Sequence, residues 1–279
     1  MFPHKKTTPQ TGNTVSRRSV VGGLAGVAGA ALLAAPAAAS GLSPRTLYIA
    51  GDSTASIKHP SARPEAGWGM ALPYFATPHV RIANRAVNGR SSKSFIDQGR
   101  LESIAATLAP GDTLLVQFGH NDSKPDTERY TDPWGTYQRC LSRYVEAARS
   151  AGAKPVFATS IERRRFRSDG TAYSTLGDYP EAMRELGIQL GVPVLDLQAQ
   201  SLALWQRLGP EETKRYFLHT EDGRRDNTHL QPLGASTIAN LAANGLSVLG
   251  ELAPHETRRL DELVVPESEF IWSQDAVLD

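Results

Sequence analysis

Thr46-Leu47-Tyr48-Ile49-Ala50 runs straight into Gly51-Asp52-Ser53-Thr54. The first five residues are apolar, aromatic or β-branched, the make-up and length of a buried strand, and the next four are small or polar turn formers. Four more stretches read the same way: Val80–Asn84, Thr113–Phe118, Lys154–Thr159 and Val192–Leu197. Helical spacing fills the gaps, over Gly67–Ala76, Ile96–Leu108, Gly135–Ala151 and Tyr179–Leu190, and again over Ala235–Leu252. Leu141, Tyr144, Val145 and Ala148 repeat at three and four, which makes one apolar stripe. Strands alternating with helices predict βαβ units and an α/β fold whose parallel sheet is covered on both faces. In such sheets the site lies beyond the carboxyl ends of the strands.

The residues at those ends have matching chemistry. Gly51-Asp52-Ser53-Thr54 follows the first strand, Ala86-Val87-Asn88-Gly89-Arg90-Ser91-Ser92 the second and Gly119-His120-Asn121-Asp122 the third. Asp226-Asn227-Thr228-His229 precedes the last helix. A serine hydroxyl needs a base to take its proton. His229 is the candidate base for Ser53. Asp226, three residues earlier, is placed to hold the other ring nitrogen in a turn. Attack on an ester creates an oxyanion, which the backbone N–H of Ser53, that of Gly89 and the amide of Asn121 are suited to bind. Each motif alone reads equally well as a turn or loop. Their order and their places at the strand ends make the set specific.

On these motifs the chain resembles the SGNH hydrolases, named for the residues that map here onto Ser53, Gly89, Asn121 and His229. The resemblance runs from about Thr46 to about Leu249. It implies a flavodoxin-like three-layer α/β/α sandwich with a five-stranded parallel sheet. Leu47–Thr54, Gly89–Phe95, Gln117–Asp122, Arg163–Phe166, Leu176–Pro180 and Asp226–Leu230 are similar to the rhamnogalacturonan acetylesterase branch. That likeness implies an esterase removing acetyl groups from a plant cell-wall polysaccharide through an acetyl-enzyme. Acetylated xylan or a short acyl ester is the alternative substrate, and a non-catalytic carbohydrate-binding protein is the rival of another class. No cofactor and no metal are expected.

Other residues are open to two readings. Arg163-Arg164-Arg165-Phe166-Arg167 follows the fourth strand and is either a solvated loop or a carboxylate-binding group, with Arg163 and Arg164 the candidates for acidic sugars. Trp68, Trp134 and Tyr173 are candidates for stacking on sugar rings, with core packing as the competing role. His59, His79 and His219 share no metal-ligand spacing, and His120 is expected to shape its loop. Asp52 and Asp122 suit hydrogen bonds to loop backbone. Cys140 has no partner for a disulfide.

The remaining expectations come from the ends and the charge. Lys5, Lys6, Arg17 and Arg18 precede an Ala/Gly-rich apolar run from Val20 to Ala35 and then Ala37-Ala38-Ala39-Ser40. That is the pattern of a secretory signal over residues 1–39, and Ser16-Arg17-Arg18-Ser19-Val20-Val21 resembles a twin-arginine one. The expected domain spans 45–253, with a tail over 254–279 whose Phe270, Ile271 and Trp272 are candidates to dock it. Without the signal, 26 basic residues face 29 acidic ones, a net charge near −3. Nothing there suggests nucleic-acid binding. The expected partner is an acetylated polysaccharide or oligosaccharide, met by a secreted or periplasmic monomer with no membrane association once the signal is removed.

Overall fold

The computed structural model describes residues 44–277; the signal segment 1–39 lies outside the described residues. Five strands, β1 (Arg45–Gly51), β2 (Val80–Asn84), β3 (Thr113–Gln117), β4 (Lys154–Ala158) and β5 (Val194–Leu195), form one sheet in the order β2-β1-β3-β4-β5. Every pairing is parallel, with Ile49 opposite both Asn84 and Leu115. The fold is therefore the expected α/β sandwich. The fifth strand is shorter than Val192–Leu197 because Asp196 turns away to cap a helix, accepting the N–H of Ala199.

The helices are α1 (Trp68–Ala71), α2 (Ser92–Asp97), α3 (Arg100–Ala105), α4 (Gln138–Ser150), α5 (Tyr179–Leu190), α6 (Leu197–Glu212) and α7 (Pro232–Val248). Two apolar clusters sandwich the sheet. Leu47, Ile49 and Leu115 face Trp68, Trp205, Ile238 and Ala242 on one side. Tyr48, Leu114 and Val116 face Phe95, Leu141, Tyr144 and Met183 on the other. The alternation along β1 and β3 is that of a sheet buried on both faces.

Several boundaries differ from the sequence reading. The helix expected over Ile96–Leu108 is two, α2 and α3, broken at Gly99 with φ +71°. The first begins earlier, where Ser91 and Ser94 cap one another reciprocally. The helix expected over Gly67–Ala76 is a single α turn followed by a 3₁₀ turn containing Pro73. The one expected from Gly135 opens with a π-helical turn, Pro133–Tyr137. Helix α6 and the antiparallel pair β6 (Phe217–His219) and β7 (Arg225–Leu230) are additional to the sequence reading.

The C-terminal segment packs on the domain. Val265 and Phe270 are buried, and Trp272 donates its indole N–H to the Glu65 carbonyl at 3.0 Å. Ile271 does not share in this; it is 75% exposed. No helix among the described residues is long and apolar enough to cross a membrane.

Candidate active site

Strand β1 ends on a tight turn that presents Ser53. The N–H groups of Ala55 and Ser56 both donate to the Asp52 carbonyl, at 3.2 and 3.1 Å. Asp52 Oδ1 accepts from the Thr54 N–H and hydroxyl at 2.9 and 2.7 Å. Gln117, at the end of β3, donates its amide to Asp52 Oδ2, and its carbonyl oxygen lies 3.1 Å from the Thr54 hydroxyl. Burial would raise the Asp52 pKa, but His120 and the Thr54 donors outweigh it and hold the carboxyl below its ordinary range. Gly67 lies against this turn so closely that a Cβ there would sit 2.1 Å from the Ser56 carbonyl oxygen. Local chemistry on three elements thus fixes the serine's backbone.

His229 reaches Ser53 from β7. Its Nε2 is 2.9 Å from Ser53 Oγ, and its Nδ1 is 2.7 Å from Asp226 Oδ2. The expected turn is instead a bulged strand. Phe217 pairs with Leu230 and His219 with Arg225, so two steps on β6 face five on β7. The surplus residues bulge out of the ladder, which lets Asp226 and His229 meet on one side. Asp226 Oδ1 stiffens the bulge by accepting the N–H groups of Thr228 and His229. Burial presses the His229 pKa down, but Asp226 and then Glu65 outweigh it and raise it above its ordinary value. Asp226 is driven the other way, far below the carboxylate range; its burial is overcome by the donors from His229 and Thr228.

The other two loops converge on the same cavity. It measures about 340 Å³ and is lined by Ser53, Gly89, Arg90, Asn121, Lys124, Glu128, Arg129 and His229. Gly89 adopts φ +69°, a backbone region glycine enters at no steric cost. Among the described residues no acceptor takes the N–H of Ser53 or of Gly89. Asn121 spends one amide hydrogen on the Arg90 carbonyl at 3.1 Å, which leaves the second for the cavity. Asp122 ties the Asn121 loop to the Gly89 loop by accepting from the Ser92 N–H and, at 2.5 Å, the Ser92 hydroxyl. Burial pushes the Asp122 carboxyl up to about 7 against those donors.

Lys58 and Glu65, beside the site, carry no signal in the sequence. Lys58 is 1% exposed; its Nζ meets Asn88 Oδ1 at 2.8 Å and Glu65 Oε1 at 2.6 Å. It thereby braces the residue before Gly89. Nothing in Ile57-Lys58-His59-Pro60 marks a buried lysine, since its partners are 7 and 30 positions away.

The residues expected to bind substrate are placed otherwise. Trp68 is fully buried, with its indole N–H on Gln117 Oε1, and has no face to offer a sugar. Arg163 is turned inward to Thr175 Oγ1 and the His120 carbonyl. Arg164 bonds the Pro210 carbonyl and Asn227 Oδ1, and its N–H donates to the Asn227 carbonyl at 2.8 Å. Both arginines are committed to the protein rather than open to a carboxylate. Trp134 is partly exposed but bonds Asp178, and neither it nor Tyr173 lines the Ser53 cavity.

Residues 49–236 match the model of the GDSL-like lipase/acylhydrolase family. The chain is 44% identical over 215 residues to the rhamnogalacturonan acetylesterase RhgT of Bacillus subtilis, an alignment covering 74% of this chain and 91% of that protein. It is 39% identical to the probable rhamnogalacturonan acetylesterase YesY of the same organism, covering 73% of this chain and 93% of that one. Among solved structures, Bacillus subtilis YxiM superposes with a TM-score of 0.66 at 28% identity. That match covers 74% of this chain and 57% of the solved one, so the chain spans little more than half of it.

Proposed function

Because the chain belongs to the GDSL-like lipase/acylhydrolase family, we propose that it is a serine esterase releasing acetate from acetylated rhamnogalacturonan, working as a monomer outside the cytoplasm. The chemistry rests on one observation: the unbroken line from Ser53 Oγ to His229 Nε2 and from His229 Nδ1 to Asp226 Oδ2, ending in an open cavity. The substrate assignment rests on the relatives, which bear that activity in their names over nine-tenths of their length.

The geometry lends itself to a two-step reaction. Ser53 Oγ attacks the acetyl carbonyl as His229 Nε2 takes its proton. Asp226 keeps Nδ1 protonated and stabilises the imidazolium. The oxyanion sits between the free N–H groups of Ser53 and Gly89 and the second amide hydrogen of Asn121. The C–O bond to the sugar breaks, and His229 returns the proton to the departing hydroxyl. Water then enters and gives a proton to His229 as its oxygen bonds the acetyl carbon; the bond to Ser53 Oγ breaks, His229 returns the proton to Oγ, and acetate leaves. Losing the Asn121 amide in Asn121→Ala is expected to lower kcat by about 10²–10³.

Acetate release from acetylated rhamnogalacturonan, set beside acetylated xylan, tests the substrate. Faster release from the pectic polymer supports the reading; release from xylan alone overturns it. For export, the twin-arginine pattern Ser16–Val21 and Ala37-Ala38-Ala39 support cleavage near residue 39. Arg17→Lys with Arg18→Lys is expected to leave the precursor uncleaved in the cytoplasm; normal export of that double variant removes this route.

A further inference from the structure

With Arg163 and Arg164 committed elsewhere, the carboxylates of an acidic sugar polymer need other partners. A second, open cavity of about 520 Å³ is lined by Asp226, the hydrogen-bond partner of the His229 that lines the Ser53 cavity. Its lining includes Arg165, Arg224, Arg225, Glu65 and Asp226. Both acids there are already engaged. Glu65 faces Lys58 at 2.6 Å and Asp226 faces His229 at 2.7 Å. Arg224 is shared between Asp222, at 3.5 Å, and the carbonyl of Arg63. Arg225 bonds only carbonyls, those of Thr220 and Arg224, and Arg165 has no side-chain partner among the described residues.

Two exposed guanidinium groups without a carboxylate therefore line a cavity on the Asp226 side of the Ser53–His229–Asp226 line. This is a local excess, since residues 40–279 carry more acidic than basic side chains. The cations of the Ser53 cavity are more fully compensated. Arg129 donates from both Nε and Nη2 to Asp126 Oδ2, and Arg90 faces Glu128 at 3.9 Å. Only Lys124 there lacks a charged partner among the described residues.

We infer that Arg165 and Arg225 form a subsite for a carboxylate of the acidic polymer whose acetyl group is held at Ser53. A guanidinium presents two parallel N–H donors that match a carboxylate. The subsite rests on the reading of the chain as a deacetylase of an acidic polymer and adds where the polymer's charge is read.

Steady-state kinetics of wild type, Arg165→Ala, Arg225→Ala and the double variant test it on acetylated rhamnogalacturonan, the same polymer with its carboxyls reduced, and p-nitrophenyl acetate. The double variant is expected to raise KM on the acidic polymer about tenfold, with kcat unchanged. It should behave as wild type on the reduced polymer and on p-nitrophenyl acetate, which also reports an intact fold. Raising salt to about 0.5 M should shrink the difference. Unchanged KM on the acidic polymer overturns the subsite, as does a rise equal on all three substrates. A rise in Lys124→Ala but not in the arginine variants would place the carboxylate on the other side of Ser53 and overturn it too. If wild type cleaves p-nitrophenyl acetate but releases no acetate from the acidic polymer, the substrate reading fails, and the subsite with it.

Discussion

His229 Nδ1 lies 2.7 Å from Asp226 Oδ2 although the two residues belong to one strand, three positions apart. A regular strand would send their side chains to opposite faces. The bulge against β6 removes that conflict, and the contact shapes how the site responds to pH.

The base works only when neutral. Asp226 and Glu65 together lift the His229 pKa above its ordinary value in spite of burial. The acid limb of kcat/KM is therefore expected above about pH 6.5. Replacing Glu65 by Gln removes a negative charge, makes the imidazolium less favourable and should move that limb to lower pH. A pH profile on p-nitrophenyl acetate checks this; a limb that stays put or moves upward contradicts it. The same lifted pKa favours the fold below the unfolded histidine's pKa, a contribution lost as pH rises through the folded value.

Arg164 holds the bulge. Its backbone N–H and its guanidinium both reach Asn227, which lies between Asp226 and His229, while Nη2 clamps the Pro210 carbonyl. Arg164→Ala is expected to lower kcat by about tenfold on acidic polymer and p-nitrophenyl acetate alike, as misplacement of a base does. KM on the acidic polymer should stay near wild type. A selective rise in that KM would return Arg164 to carboxylate recognition.

How much of this was legible in the sequence follows from the range of each interaction. The strands and the motifs that follow them are local signals. Thr46–Ala50 and Gly51-Asp52-Ser53 placed the nucleophile where β1 ends, and the alternation of elements gave the parallel sheet. The roles of the arginines were not local. Arg163, Arg164 and Arg165 are adjacent and chemically identical, yet the first turns inward, the second pins β7 and the third faces solvent. Only partners 12 to 63 positions away separate them. Trp68 is a similar case, since its burial depends on packing in one cluster with residues of β1 and α7 and on its bond to Gln117. The bulge that brings Asp226 to His229 depends on pairing with β6, a three-residue strand with no local pattern of its own.

Asp122 offers a stability test. Its pKa of about 7 lies above that of an exposed aspartate, because burial opposes ionisation more than the Ser92 and Thr131 donors favour it. Between about pH 4 and 7 the folded state therefore keeps a proton that the unfolded chain has lost. Stability from this group falls as pH rises through that window, with a slope of up to about 1.4 kcal/mol per pH unit. Asp122→Asn should flatten that slope in urea titrations across the window. An unchanged slope would mean that Asp122 is ionised throughout.

The account turns on Ser53 as the atom that takes the acetyl group. The direct measurement is acetate released from acetylated rhamnogalacturonan by wild type and by Ser53→Ala at matched concentration, with both proteins shown to be folded. Triads that lose their serine fall by about 10⁶ in kcat, so release by Ser53→Ala is expected to drop by about that factor. Release within tenfold of wild type would contradict the mechanism.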